Sequence, residues 1–163
     1  MTQLIPNTYF EAGGFTPPIE QSVVFDGSSR LTRIPSSGNQ KTFVFDCFYK
    51  KNRMGGSETF LNVHINATNF FVFGILSTDD ILVYDVQSGV DYGMIFAKKF
   101  RDVGWYNLRL EVDTRASVSP ADKFKLIVNG ERETVLSSDF GTPPDEYTTL
   151  VNSTNTHYNG YRS

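Results

Sequence analysis

The sequence predicts an all-β protein, an antiparallel sandwich of two sheets. Three observations carry that reading. Phe and Tyr are abundant, at 14 and 8 of 163 residues, while Ala, Leu and Glu are scarce; aromatic and β-branched residues suit a pleated, half-buried surface better than a helix. Short runs of such residues recur about every 8–12 positions between Gly, Pro, Asn and Ser clusters, the punctuation of a sandwich or barrel. No window carries an apolar stripe at the 3.6-residue helical period, and no repeat of fixed length is present. A chain of this length suits one domain with a substantial core.

Residues 1–20 stand apart as an extended N-terminal arm. Pro6, Gly13-Gly14 and Pro17-Pro18 interrupt it, and proline removes ladder donors and fixes φ. Its apolar beads Leu4, Ile5, Tyr9, Phe10 and Phe15 suit an anchor, packed either on its own domain or on a neighbouring subunit.

The sandwich is expected over 21–163. Ser22–Asp26 and Arg30–Ile34 read as short strands around a Gly27-Ser28-Ser29 turn, and Pro35–Asn39 as a loop. Lys41–Lys50 is the longest clear strand, with Phe43, Phe45, Cys47 and Tyr49 on the core face. Phe48 on the opposite face suggests that this face is not fully wet. Thr59–Ile65 alternates Leu61, Val63 and Ile65 against Phe60, Asn62 and His64. Asn69–Leu76 is nearly continuous in apolar residues, as in a strand covered on both faces. Strands follow at Ile81–Val86 and Tyr92–Lys98.

The next hairpin places Tyr106, Leu108, Leu110 and Val112 inward from Trp105–Val112. After a polar loop, Lys123–Asn129 returns with Phe124, Leu126 and Val128 inward. Asn129-Gly130 then favours a tight primed turn, because both positions tolerate positive φ; Glu131–Leu136 is the expected partner strand. Beyond Pro143-Pro144 the apolar residues Tyr147, Leu150, Val151 and Tyr158 are spaced irregularly.

Charge and cysteine narrow the function classes. The net charge is −3, and the basic spots Lys50–Arg53 and Lys98–Arg101 flank turns as solvated strand ends. Nucleic-acid binding needs a concentrated positive footprint, which this chain lacks. No run approaches the roughly 20 apolar residues of a membrane span, so no membrane insertion is expected. One cysteine, Cys47, precludes an internal disulfide framework and reads as a small buried hydrophobe. Met1–Asn7 lacks the basic and apolar regions of a signal peptide, so synthesis in a cytoplasm without ordinary export is expected.

Three phrases carry a resemblance. Leu31-Thr32-Arg33-Ile34-Pro35-Ser36-Ser37-Gly38-Asn39-Gln40-Lys41-Thr42-Phe43 opens it; Gly104-Trp105-Tyr106-Asn107 through Val112-Asp113-Thr114 and Lys123–Gly130 continue it; His157–Ser163 closes it. In order and spacing they resemble the laminin-G-like, concanavalin A-like (lectin/glucanase type) jelly-roll domains of tailed-bacteriophage virion proteins. Ile34, Gln40 and Phe43 depart from that pattern, where Thr, Arg and Trp stand. The resemblance implies a virion structural protein made in the bacterial host cytoplasm and displayed on the virion surface: a head decoration, head fibre or tail-fibre component. Its partners would be capsid or tail proteins and sister copies in a homo-oligomer, with weak multivalent adhesion to a host surface glycan. The family continues past this last phrase with one more strand, so an unpaired edge is expected, filled by a chain continuing beyond Ser163, by the arm or by a neighbour. Alternatives are a soluble carbohydrate-binding module of a longer polypeptide and, third, a glycan hydrolase.

The candidate chemistry is thin, and no enzyme is expected. Hydrolases on this sandwich carry E-x-D-x-x-E on one strand, and glycoside hydrolysis needs two carboxylates flanking the bond; Glu131-Arg132-Glu133 is the nearest run and lacks the rest. His64 and His157, the only histidines, do not form a zinc spacing. The resemblance implies calcium as the one cofactor to consider, with Asp79, Asp80, Asp85 and Asp113 beside loops. Glycan contact would use exposed aromatics, for which Trp105, Tyr84, Tyr92, Tyr158 and Tyr161 are the candidates.

Overall fold

The computed structural model describes residues 23–25, 29–97, 100 and 103–160. They form two antiparallel sheets packed face to face. The strands are β1 (Leu31–Arg33), β2 (Thr42–Lys51), β3 (Glu58–Asn66), β4 (Asn69–Ile75), β5 (Ile81–Gln87), β6 (Val90–Phe96), β7 (Gly104–Asp113), β8 (Phe124–Val128), β9 (Glu131–Arg132), β10 (Leu136–Gly141) and β11 (His157–Asn159). The larger sheet runs β1-β11-β3-β4-β5-β6-β10 and the smaller β2-β7-β8-β9. Among the described residues the only helical turn is a 3-10 turn at Pro120–Asp122.

Period-2 alternation makes the core. Phe43, Phe45, Cys47 and Tyr49 point inward from β2, as do Leu108, Leu110 and Val112 from β7 and Phe124, Leu126 and Val128 from β8. They meet Phe71, Phe73 and Ile75 of β4 and Ile81 and Val83 of β5. Aromatic rings join the layers edge to face: Phe45 on Phe73 at 5.6 Å, Phe43 on Phe71 at 6.3 Å, and Tyr49 on Phe60 at 4.9 Å. Such pairs add to the area they bury. They also place β2 above β3 and β4.

Turn chemistry sets the registers. Asn129 and Gly130 take φ of 51° and 81°, the primed turn that Asn-Gly predicts, and Ile127 then pairs with Arg132. Ser88-Gly89 does the same between β5 and β6, at 55° and 75°. At the end of β2 the Lys51 ammonium is wholly buried, 2.9 Å from Asp79 Oδ1 and over the Phe100 ring. Asp79 also accepts the Gly55 N–H, so the β2–β3 and β4–β5 connections are tied together.

Several expectations need correction. Val23–Phe25 is not a strand, and residues 22 and 26 lie outside the described set. Glu131-Arg132 pairs with β8, and the Glu133 N–H donates to the Leu126 carbonyl; from Leu136 the chain crosses to the larger sheet and pairs with β6 as the edge strand β10. Ile65 is exposed and Phe60 buried, because bulges at Phe60 and Ile65 break the alternation of β3 twice. β4 is not covered on both faces: Phe71 and Phe73 are buried, whereas Phe70 and Val72 on the outer face are half-buried. Val44 and Phe48 of β2 are exposed, so that face is wet. The irregular C-terminal segment supplies β11, which pairs with both β1 and β3.

Four strands lie at sheet edges among the described residues: β1 and β10 in the larger sheet, β2 and β9 in the smaller. Among the described residues β2 pairs with β7 alone. Thr149 covers the approach at Gln40, donating its N–H to the Gln40 carbonyl and accepting from the Gln40 side chain. The inward Phe43, Phe45, Cys47 and Tyr49 of β2 are only half-buried, whereas Leu108, Leu110 and Val112 of β7 and Phe124, Leu126 and Val128 of β8 are almost wholly so.

Candidate functional site: an aromatic groove on the larger sheet

Antiparallel partners directly opposite each other share a face. The registers therefore give one row across the outer face of the larger sheet: Tyr158 of β11, Asn62 of β3, Val72 of β4, Tyr84 of β5 and Gly93 of β6. The two tyrosines stand three strands apart, about 14 Å at ordinary strand spacing. A groove of about 340 Å³ lies on this face over β3, β4 and β5, with Tyr84 but not Tyr158 among its lining residues. Asn62, Val72 and Gly74 make its floor, and His64, Phe70 and Tyr84 flank it.

Each part has a local cause. A row of rings His64–Phe70–Tyr84–Phe140 runs from β3 to β10, with centroids 6.3, 5.7 and 4.9 Å apart, tilted at the first two contacts and edge to face at the last. The Tyr84 hydroxyl donates to Asp91 Oδ2 at 2.6 Å. Burial and that bond push its pKa up to about 12, so it stays a neutral donor. A Cβ at Gly74 would lie 2.4 Å from the Glu58 carbonyl oxygen, so no side chain fills the floor there. Asn62 is 2% exposed and its Oδ1 accepts no hydrogen bond. A buried acceptor without a donor costs about 1–3 kcal/mol.

A larger cleft of about 490 Å³ lies beside the 113–122 loop, lined by Glu111, Asp113, Asp122 and Lys125. Its charges are already answered. Asp113 pairs with Arg115, Asp122 with Arg132 and Lys125 with Glu111. Arg115 holds the Asp113 carboxyl down at about 2. The smaller groove, with its orphan amide and aromatic walls, is the better candidate.

Known proteins add no further guide: neither a known family nor a curated protein matches this chain.

The sequence-predicted residues divide accordingly. Tyr84 and Tyr158 share the row. Trp105 lies on the outer face of the other sheet, with the Lys50 ammonium 5.7 Å from its ring centroid. Tyr92 points inward and packs edge to face on Tyr147 at 4.9 Å. Tyr161 and the anchor residues Leu4, Ile5, Tyr9, Phe10 and Phe15 lie outside the described residues.

The calcium candidates are not brought together. Asp79 answers Lys51, and Asp80 accepts from the Thr78 hydroxyl. Asp113 sits at the opposite end of β2, roughly 30 Å away at the rise of a strand. Asp85 is buried on the inner face, where it accepts the Leu150 N–H. No cluster of three or more His, Cys, Asp or Glu suited to a metal occurs among the described residues. His157 is structural: its Nε2 accepts the Asn152 N–H. Burial pushes the Cys47 thiol up to about 12, leaving it without thiolate character at neutral pH.

Sequence reasoning missed Asn62, Phe70, Gly74 and Phe140. The one available signal was Asn62 itself, a polar residue between Leu61 and Val63 in a strand.

Proposed function

We propose that this chain is a non-enzymatic display domain of a bacteriophage virion, a head decoration, head fibre or tail-fibre component. Its sandwich is of the concanavalin A-like jelly-roll type, and its larger sheet makes weak contact with a host surface glycan. The phrases at residues 31–43, 104–130 and 157–163 support the virion setting. The observation that carries adhesion is the groove flanked by His64, Phe70 and Tyr84 on the outer face of the larger sheet, in whose register row Tyr158 also stands. Aromatic rings beside a shallow apolar floor suit the apolar faces of sugar rings. The site is shallow, so affinity per copy would be low and repetition on a particle would supply avidity.

A soluble carbohydrate-binding module of a longer polypeptide would use the same groove. Hydrolysis has less support: Glu58 is the only carboxylate among the groove's lining residues, and it accepts the Tyr49 hydroxyl, where glycoside cleavage needs two carboxylates across the bond. A glycan array probed with the full chain, displayed multivalently, tests the adhesion reading. Binding is expected, and Tyr84→Ala should weaken it at least tenfold. Silence across the array would leave decoration without adhesion.

A further inference from the structure

We propose that Asn129 is a site of spontaneous deamidation, a chemical modification built into the β8–β9 turn. The sequence holds two Asn-Gly pairs, Asn129-Gly130 and Asn159-Gly160. Glycine has no Cβ, so its backbone nitrogen can approach the preceding side-chain amide closely. Both pairs meet that local requirement. Their surroundings separate them.

At the turn each reacting atom is open. Asn129 and Gly130 are both exposed. Neither the Gly130 N–H, which supplies the nucleophile, nor the Asn129 Nδ2, which leaves, has an acceptor among the described residues. The Asn129 Oδ1 accepts the Asn107 N–H at 2.9 Å. That bond polarises the amide and stabilises the negative charge that grows on its oxygen as a ring closes. Closure needs Gly130 to rotate toward Cγ. A Cβ at Gly130 would meet no atom within 4 Å, so no packing opposes the rotation.

At Asn159 the same atoms are engaged. Its Nδ2 donates to the Phe60 carbonyl at 2.6 Å, and the Gly160 N–H donates to the Thr59 carbonyl at 3.1 Å. Asn159 is paired with Leu31 in the larger sheet, and a Cβ at Gly160 would collide with the Phe25 ring. Rotation there is blocked by packing.

The step balances with water as the only co-reactant. The Gly130 nitrogen gives its proton to a solvent base and attacks Asn129 Cγ. The new N–Cγ bond closes a succinimide, the Cγ–Nδ2 bond breaks, and the amide nitrogen takes up a proton and leaves as ammonia. Water then opens the ring. Attack at the side-chain carbonyl gives aspartate, and attack at the backbone carbonyl gives isoaspartate, with the chain running through Cγ. Either product adds one negative charge to a chain of net charge −3. Isoaspartate also adds a methylene to a two-residue turn, which the Val128–Glu131 and Ile127–Arg132 pairing cannot absorb without a shift.

The test incubates the full chain in mildly alkaline buffer, folded and in urea, and maps its peptides by mass and by isoaspartate content. In urea the two pairs should convert at similar rates. In the folded chain Asn129 should convert at least tenfold faster than Asn159, with isoaspartate as the major product. Asn129→Gln should remove the main acidic species that ion exchange resolves from the aged wild-type chain. Equal protection of both pairs in the folded chain, or faster conversion at Asn159, would overturn the assignment.

Discussion

The two sheets share one core and present opposite kinds of outer face. On the smaller sheet, Asp46 accepts from Asn107 and lies 3.9 Å from Arg109, and Arg109 pairs with Glu111 at 2.8 Å. Lys125 in turn reaches Glu111 at 3.4 Å. Every named charge there meets an opposite one, which makes a solvated wall with its interactions already satisfied. On the larger sheet the central row is uncharged, aromatic at both ends and short of one hydrogen bond at Asn62. Alternation, reset by two bulges in β3, built both faces. The difference is one of satisfaction: the larger cleft beside the smaller sheet has partners for its charges, whereas the row on the larger sheet holds an unanswered amide oxygen.

The strongest way to break the contrast is to remove the core that both faces share. Phe73 is fully buried and packs on Phe45 and Phe60. Phe73→Ala should cost about 3–5 kcal/mol, read as a lower urea midpoint, with both faces lost in one transition.

Asp85 offers a contrast within the larger sheet, between its polar inner position and its aromatic outer row. Burial pushes the Asp85 carboxyl up to about 7, although the Leu150 N–H and Gln87 side chain favour the charged form. Between about pH 4 and 7 the unfolded chain has released this proton and the folded chain has not. This contribution to stability is therefore full below about pH 4, falls as pH rises and levels off above 7. Chemical denaturation across that range should show a loss on the order of a few kcal/mol. Asp85→Asn should flatten it.

The smallest effect sharpens the comparison. Arg109 is partly exposed, and Arg109→Ala should cost under about 1 kcal/mol, with the loss shrinking at high salt. Glycan binding should not change. A binding loss of tenfold in this variant would move the site to the smaller sheet.

Much of the sandwich was legible. The β2, β7 and β8 faces followed from Phe43, Leu110 and Leu126 and their alternates, and the Asn129-Gly130 turn from two residues that tolerate positive φ. These are local rules, and the sheets obey them. Where a bulge intervened, as at Phe60 and Ile65, the alternation misassigned the faces, because one extra residue inverts all that follow. The crossing at Leu136 was equally hidden, since Glu131–Leu136 reads as one run while its two ends pair in different sheets.

The candidate site was half legible. Tyr84 and Tyr158 could be named as exposed aromatics, but nothing local distinguished them from Tyr92 or Trp105. Residues 62, 72, 84 and 158 meet only when four strands are set in register, and that register is held by long-range pairing. By itself the sequence determined the all-β class, the inward faces of the regular strands and the tight turns, because side-chain alternation and φ preference act within a few residues. The tertiary structure alone decided which sheet each strand joined, which edge β2 left open among the described residues, and that Asn62 stands unanswered between two tyrosines.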